Sequence, residues 1–157
     1  MTMRILEADL SDSRHAAAIV ELVDLYAREL NGGGAGLHEQ VKATMIAGLR
    51  ATPTTRVFLA YADDRAVGVA VCFAGYSTFR GKPLINIHDL AVHPDCRGRG
   101  VGTTLLAAIE QAARDAGCCA VTLEVDQSNL GARRLYERCG FAHGNHGQPQ
   151  HFMKKLL

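Results

Sequence analysis

The sequence has no excess of charge of either sign, because 17 Lys and Arg residues stand against 16 Asp and Glu residues, for a formal net charge of +1. A chain without a basic surplus creates no long-range field for nucleic acid or acidic lipid, so the sequence predicts neither as a partner. An anionic ligand would need a local group of charges and backbone dipoles. Hydrophobic residues make up 48% of the chain and charged residues 21%, which excludes the composition of a disordered protein.

Long hydrophobic runs are also missing. The longest apolar stretch, residues 66–75, has ten residues, whereas a helix that crosses the hydrocarbon core of a bilayer needs about 20. We therefore expect no membrane association. The N-terminus becomes acidic at Glu7 and Asp9 before a hydrophobic segment of signal-peptide length has formed, so we expect a cytoplasmic protein.

The five cysteines do not form the pattern of a disulfide framework or a metal site. Their number is odd, two are adjacent, and the sequence contains no Cys-x-x-Cys pair and no His-x-x-x-His pair. These features favour a reducing compartment and predict no metal. Nor do we expect an acyl-enzyme on a thiol, since Cys118, Cys119 and Cys139 lie at element junctions where small apolar residues pack. The C-terminal histidines, which predict a solvated rim, are His143, His146 and His151.

Hydrophobic periodicity predicts both strands and helices in the first third of the chain. Residues 3–8 alternate as a strand, and apolar residues at helical spacing then run to about Leu30, in a helix that Ser11 or Ser13 caps. The glycine-rich run Gly32–Gly36 ends this helix, and a second helix follows it.

The middle of the chain predicts three consecutive strands, 56–62, 67–75 and 84–92, and hence an antiparallel meander with a hairpin at 63–66. Helices and strands then alternate. The further predicted elements are a loop at 95–100, a helix to about 116, a strand at 120–125, a short helix at 129–138 and a last strand near 151–156. Since no linker interrupts the pattern, we predict one α+β domain over residues 1–157 with a mixed sheet of about six or seven strands.

A glycine- and arginine-rich loop lies between a predicted strand and a predicted helix. Glycines let backbone N–H groups approach an oxyanion, and a helix N-terminus adds unpaired donors and the positive end of its dipole. Such a loop predicts a phosphate-binding site, although a glycine-rich turn with solvated arginines fits the same residues. The residues concerned are Arg97, Gly98, Arg99, Gly100, Val101, Gly102 and Thr103.

Spacing excludes two common nucleotide-binding loops. A Walker loop needs Gly-Lys followed by Ser or Thr, whereas Gly102 directly precedes Thr103 here. A dinucleotide-binding fingerprint follows its strand directly, whereas Gly98 comes six residues after Val92 and after a meander. The sequence therefore predicts neither a kinase or GTPase nor an NAD-binding protein.

Three positions of the loop, Arg97, Gly100 and Gly102, match the Gln/Arg-x-x-Gly-x-Gly/Ala signature of the GNAT family of acetyl-CoA-dependent N-acetyltransferases. The upstream segment 89–94 resembles the signature strand of that family. The residues that resemble its second motif are Asn129, Ala132, Leu135, Tyr136, Glu137, Gly140 and Phe141. The resemblance covers residues 85–141 and implies a mostly antiparallel central sheet with helices on both faces and a gap beside the signature strand.

The resemblance implies acetyl-CoA as cosubstrate and a homodimer as a family-level expectation. The loop would bind its pyrophosphate, and the strand residues Leu90, Ala91 and Val92 would pair with its pantetheine arm. Asn129 would bond the cosubstrate, although Asn is also a favoured cap for the helix that follows. Tyr136 would donate a proton to the departing thiolate, and a half-buried aromatic with a satisfied hydroxyl is its structural alternative.

An acceptor amine must lose a proton before it attacks, because an alkyl ammonium has a pKa near 10.4. The predicted base, acting directly or through water, is His88 or Glu124, whose structural alternatives are a polar core residue and a surface carboxylate. His88 and Asp89 are adjacent on one predicted strand, so strict alternation predicts that they point to opposite faces.

The acceptor class is predicted only coarsely. The stretch from Tyr76 to Leu90 resembles diamine N-acetyltransferases, but His88-Asp89 replaces their Glu-Asp pair, which weakens the case for a polyamine. We therefore predict direct transfer to the primary amine of a small molecule. The alternatives are a protein lysine or N-terminal acetyltransferase and a non-catalytic acyl-CoA sensor. Loops 32–36 and 76–82 are expected to border the acceptor, although a plain connector fits the first equally well.

Overall fold

The computed structural model describes residues 2–29, 32–148 and 150–157. The chain divides into two compact units, 1–123 and 124–157, and one domain over 1–157 stays a prediction. The elements of the first unit are β1 (Met3–Glu7), α1 (Ser13–Ala27), α2 (Glu39–Ala51), β2 (Thr55–Ala62), β3 (Arg65–Ser77), β4 (Lys82–Val92), a short 3-10 helix (Pro94–Cys96), α3 (Val101–Asp115) and β5 (Val121–Leu123). The second unit contains α4 (Leu130–Arg138) and α5 (Gly144–Gly147).

The strands form one sheet in the order β1-β2-β3-β4-β5. The first four pair antiparallel and β5 pairs parallel to β4, which confirms the predicted meander and the mixed, mostly antiparallel sheet. The count of six or seven strands is wrong for the described residues, which contain five. The strand expected near 151–156 is absent there, because a strand needs a hydrogen-bonded neighbour and none of the described strands pairs with these residues.

The residue that caps α1, Asp12, lies one position away from either predicted cap. The Asp12 carboxylate accepts hydrogen bonds from the N–H groups of Arg14 and His15, at 2.7 and 3.3 Å. A carboxylate satisfies these orphan donors and also meets the positive end of the helix dipole, so Asp12 caps the helix rather than Ser11 or Ser13. The helix ends at Ala27, and the predicted end at Leu30 lies outside the described residues.

Helices cover both faces of the sheet in the first unit, as expected. On one face, Ile19 and Leu22 of α1 share a buried cluster with Val69 and Val71 of β3. On the other face lies α3, and a Cβ built at Gly68 would come within 3.0 Å of the side chains of Val101 and Leu105. A glycine at this position therefore lets α3 pack closely against β3. No helix among the described residues is long and apolar enough to span a bilayer.

Candidate functional site

Strand β4 contains a bulge in the segment that resembles the signature strand. Val71 of β3 lies opposite Asp89, and the next residue, Cys72, lies opposite Ile87. His88 is therefore the extra residue of β4, with no partner across the ladder. A bulge of this kind bends the strand and re-aims the side chains beside it.

The bulge corrects the prediction that His88 and Asp89 point to opposite faces. Asp89 shares a face with Val71, its cross-strand partner, which is part of the cluster under α1. The His88 ring packs edge-on against Phe73, with centroids 5.6 Å apart, and Phe73 follows Val71 by two residues on the same face. Both titratable side chains therefore lie on the sheet face that α1 covers.

Asp89 is a half-buried carboxylate, and in the described part of the chain no side chain or backbone group bonds to it. Burial raises the pKa of its carboxyl group, and the neighbouring His88 opposes that rise in part. A partly desolvated charge without a partner is costly unless a ligand supplies the opposite charge. The geometry thus brings an unsatisfied anion to the α1 side of β4.

Beyond the bulge, no described strand pairs with the edge of β4 that faces away from β3. β5 pairs with it only at residues 85–87. The N–H of His93 donates to the Val67 carbonyl at 2.8 Å, and bonded residues alternate along an antiparallel pair, so Ala91 directs its backbone groups toward β3. Leu90 and Val92 direct theirs toward the open side. That edge can receive an extended ligand that carries amides.

The glycine- and arginine-rich loop leads into α3 through two residues in the left-handed region, Gly98 at φ 72° and Gly100 at φ 83°. Gly100 is the N-cap of α3, and no side chain caps the helix. The first N–H groups of α3, which belong to Val101, Gly102 and Thr103, therefore have no helical or capping acceptor. Unpaired donors at the positive end of a helix dipole are suited to bind an anion.

The two arginines of the loop lie in different surroundings. The Arg97 guanidinium pairs with the Glu29 carboxylate, and its Nε donates to the Val92 carbonyl at 3.1 Å. Arg99 is exposed and has no ion-pair partner within the described ranges. Its charge is therefore available to a ligand of the loop, whereas that of Arg97 is already neutralised. Sequence reasoning missed Glu29 as the partner of Arg97, because the two residues lie 68 positions apart and belong to no common motif.

The remaining predicted site residues belong to the second unit. Asn129 caps α4, since its Oδ1 accepts from the Ala132 N–H at 3.2 Å, which confirms the capping interpretation. Tyr136 is the buried residue of α4, and its ring lies 5.8 Å from that of Phe141. Glu124 is exposed to solvent.

One buried thiol and the arrangement of possible metal ligands bear on alternative chemistry. Burial raises the pKa of the Cys72 thiol to about 12, so this cysteine stays protonated at neutral pH and is a poor nucleophile. The described residues contain no group of three or more His, Cys, Asp or Glu side chains placed to hold a metal ion.

Comparisons with known proteins agree with this geometry. The model of the acetyltransferase (GNAT) family matches residues 19–141. An N-alpha-acetyltransferase of Arabidopsis thaliana is 42% identical over 86 residues, which cover 54% of this chain and 43% of that protein. A thialysine N-epsilon-acetyltransferase of Bos taurus is 34% identical over 74 residues, which cover 47% of this chain and 43% of that protein, and it gives weak support to the resemblance to diamine acetyltransferases.

The chain spans less than half of the length of these curated relatives. Among solved structures, a probable acetyltransferase superposes with a TM-score of 0.82 at 21% identity and covers 98% of this chain and 99% of that one. At this identity the likeness shows the fold alone.

Proposed function

The chain belongs to the GNAT acetyltransferase family, and from this premise we propose that it transfers the acetyl group of acetyl-CoA to the primary amine of a small molecule. The observation that carries an amine acceptor, rather than a sensor, is the half-buried carboxylate of Asp89, to which no group of the described residues bonds. An ammonium bound there would supply the missing opposite charge and would favour the ionised carboxylate. A module that only senses acyl-CoA has no use for such a group.

The cosubstrate would bind along two features of the first unit. The free N–H groups at the start of α3 and the exposed Arg99 suit its pyrophosphate. The outward backbone groups of Leu90 and Val92 suit the amides of its pantetheine arm, while Ala91 holds the strand to β3. Arg97 contributes by fixing the Val92 carbonyl.

Acetyl-CoA supplies a thioester, an acyl group that is activated toward an amine. Asp89 holds the ammonium, and His88, Glu124 or a water that one of them orients accepts its proton. The neutral amine then attacks the acyl carbon and the bond to sulfur breaks. The attacking nitrogen releases its second proton to water, and Tyr136 donates a proton to the departing thiolate and regains one from water. Transfer is direct, in a ternary complex.

The test measures free thiol release over a panel of small primary amines, for the wild type and for Asp89→Asn. We expect Asp89→Asn to raise KM for the best amine by about 10- to 100-fold, the worth of a hydrogen bond to a charged group, and to leave CoA affinity unchanged. Since burial disfavours the ionised carboxyl, this variant should melt no lower than the wild type at pH 7. Asp64→Asn, which removes an exposed turn carboxylate, is the matched control.

Two results would contradict the proposal. Binding of CoA without turnover of any amine would support a sensor. An unchanged KM in Asp89→Asn would show that this carboxylate does not hold the acceptor.

A second candidate, acetylation of protein N-termini, is favoured by the relative from Arabidopsis thaliana, whose name describes an N-alpha-acetyltransferase. An ammonium at a peptide N-terminus could meet Asp89 in the same way. Peptides with a free N-terminus, peptides with an acetylated N-terminus and one lysine, and small amines separate these substrate classes by kcat/KM. A preference for the first set would replace the small-molecule assignment.

A further inference from the structure

Glu29 connects the turn that follows α1 to Arg97, which lies 68 residues further along the chain. Its carboxylate pairs with the Arg97 guanidinium at the start of the glycine- and arginine-rich loop, residues 97–103, which we call the cofactor loop. Its backbone carbonyl accepts hydrogen bonds from the N–H groups of Gly32 and Gly34, at 2.9 and 2.7 Å. Arg97 in turn donates to the Val92 carbonyl at 3.1 Å, on the open edge of β4. One residue thus joins the glycine turn after α1 to the loop and strand that would hold acetyl-CoA.

The contacts of Glu29 link the glycine turn to the strand that carries Asp89. Arg97, the ion-pair partner of Glu29, bonds to the carbonyl of Val92, which lies three residues after Asp89 on β4, about 10 Å along the strand. The turn itself follows α1, the helix that covers the sheet face to which Asp89 points. The pair is partly shielded, with side-chain exposures of 29% for Glu29 and 49% for Arg97, so its charges are only partly screened by water.

We propose that Glu29 is a positioning residue that acts through Arg97: it holds the open end of β4 and the glycine turn in place, and it neutralises a cation beside the cofactor loop. This rests on the proposed transferase function. Glu29 improves the placement of the acceptor at the expense of electrostatic attraction for the anionic cosubstrate. Its removal should consequently affect the two substrates in opposite directions.

The substitution Glu29→Gln tests this, because it keeps the shape of the side chain and removes its charge. We expect CoA to bind about two- to fivefold more tightly at low salt, with a steeper salt dependence, because Arg97 then adds one unneutralised charge near the phosphates. We expect KM for the amine to rise by a similar factor, because the ion pair that connects the turn to Arg97 and the edge of β4 becomes a weaker, neutral hydrogen bond. The control is Glu110→Gln, which breaks the exposed Glu110–Arg114 pair on α3.

A double-mutant cycle with Arg97→Gln decides whether Glu29 acts through Arg97. In that background, Glu29→Gln should change neither CoA affinity nor KM for the amine. A loss of CoA affinity and of melting temperature that is equal in both backgrounds would show a merely structural role and overturn the proposal. No change in either constant in the wild-type background would overturn it as well.

Calorimetric titration with CoA alone separates this proposal from the proposed function. If no amine is acetylated, the transferase assignment fails, and the Arg97-dependent change in CoA affinity still reports on Glu29. If amines are acetylated and Glu29→Gln leaves CoA affinity and its salt dependence unchanged, only the inference about Glu29 fails.

Discussion

Gly100 offers a perturbation whose cost can be worked out from its backbone. Its φ of 83° lies in the left-handed region, and a Cβ built on it would meet no atom within 4 Å. An alanine at position 100 would therefore clash with nothing, and its whole cost is the backbone strain, about 1–2 kcal/mol. The control is Gly48→Ala in α2, where space is equally open and the backbone is helical, so the same methyl group should stabilise the protein by about 1 kcal/mol.

The strain in Gly100→Ala must appear either in folding or in binding. If the loop keeps its conformation in the free protein, the melting temperature falls by about 2–4 °C for each kcal/mol, as for other chains of this size, and CoA affinity is unchanged. If the loop relaxes when free, the melting temperature is retained, and CoA affinity falls by about 5- to 30-fold because binding must restore the left-handed turn. In both cases the loss in the free energy of unfolding and the loss in the free energy of CoA binding add up to the same strain energy, about 1–2 kcal/mol.

Thermal unfolding of the free variant and calorimetric titration with CoA measure the two losses. A sum near zero, with Gly48→Ala stabilising as expected, would refute the reasoning, because it would mean that the loop does not need the left-handed conformation in either state. Gly100→Asn adds a check, since Asn tolerates this region and should lose less than Ala in the sum.

Three further predictions concern the chemistry and the pH dependence. Tyr136→Phe should lower kcat by about 10- to 100-fold with little change in CoA affinity, because a phenol that donates to sulfur is lost while the packed ring remains; a higher KM for CoA with an intact kcat would make it an anchor instead. Either His88→Ala or Glu124→Gln should lower kcat/KM by about 10²–10⁴-fold and alter its pH profile, and full activity of both variants from pH 6 to 9 would exclude both as bases. The Arg56 guanidinium lowers the pKa of the Glu7 carboxyl through two hydrogen bonds, at 2.8 and 2.7 Å. This stabilisation is present above the unfolded pKa of about 4.3 and is lost as the pH falls through the folded value, so Glu7→Gln should flatten that part of the acid-unfolding profile.

Most of the elements that could be predicted from the sequence depend on interactions between residues close together in the chain. The hairpin between β2 and β3, the glycine loop and the helix that follows it depend on residues adjacent in the chain, and each was predicted within a few residues. The same holds for Asn129, which caps the helix that begins beside it. Such elements are specified by turn residues, caps and periodicity, all of which act over a few positions.

What the tertiary structure alone decided concerns pairing between distant segments. Alternation placed His88 and Asp89 on opposite faces, and only the register against β3 showed a bulge that brings both to one face. A strand was predicted near 151–156, but no pairing partner appears there in the described structure. The ion pair between Glu29 and Arg97 could not be predicted either, because no sequence pattern around one residue indicates the other. The loop, helices α1 to α4 and all five strands could be read from the sequence because local interactions specify them. The open backbone groups of β4 and the partners of each charge depend instead on contacts between residues that are far apart in the chain.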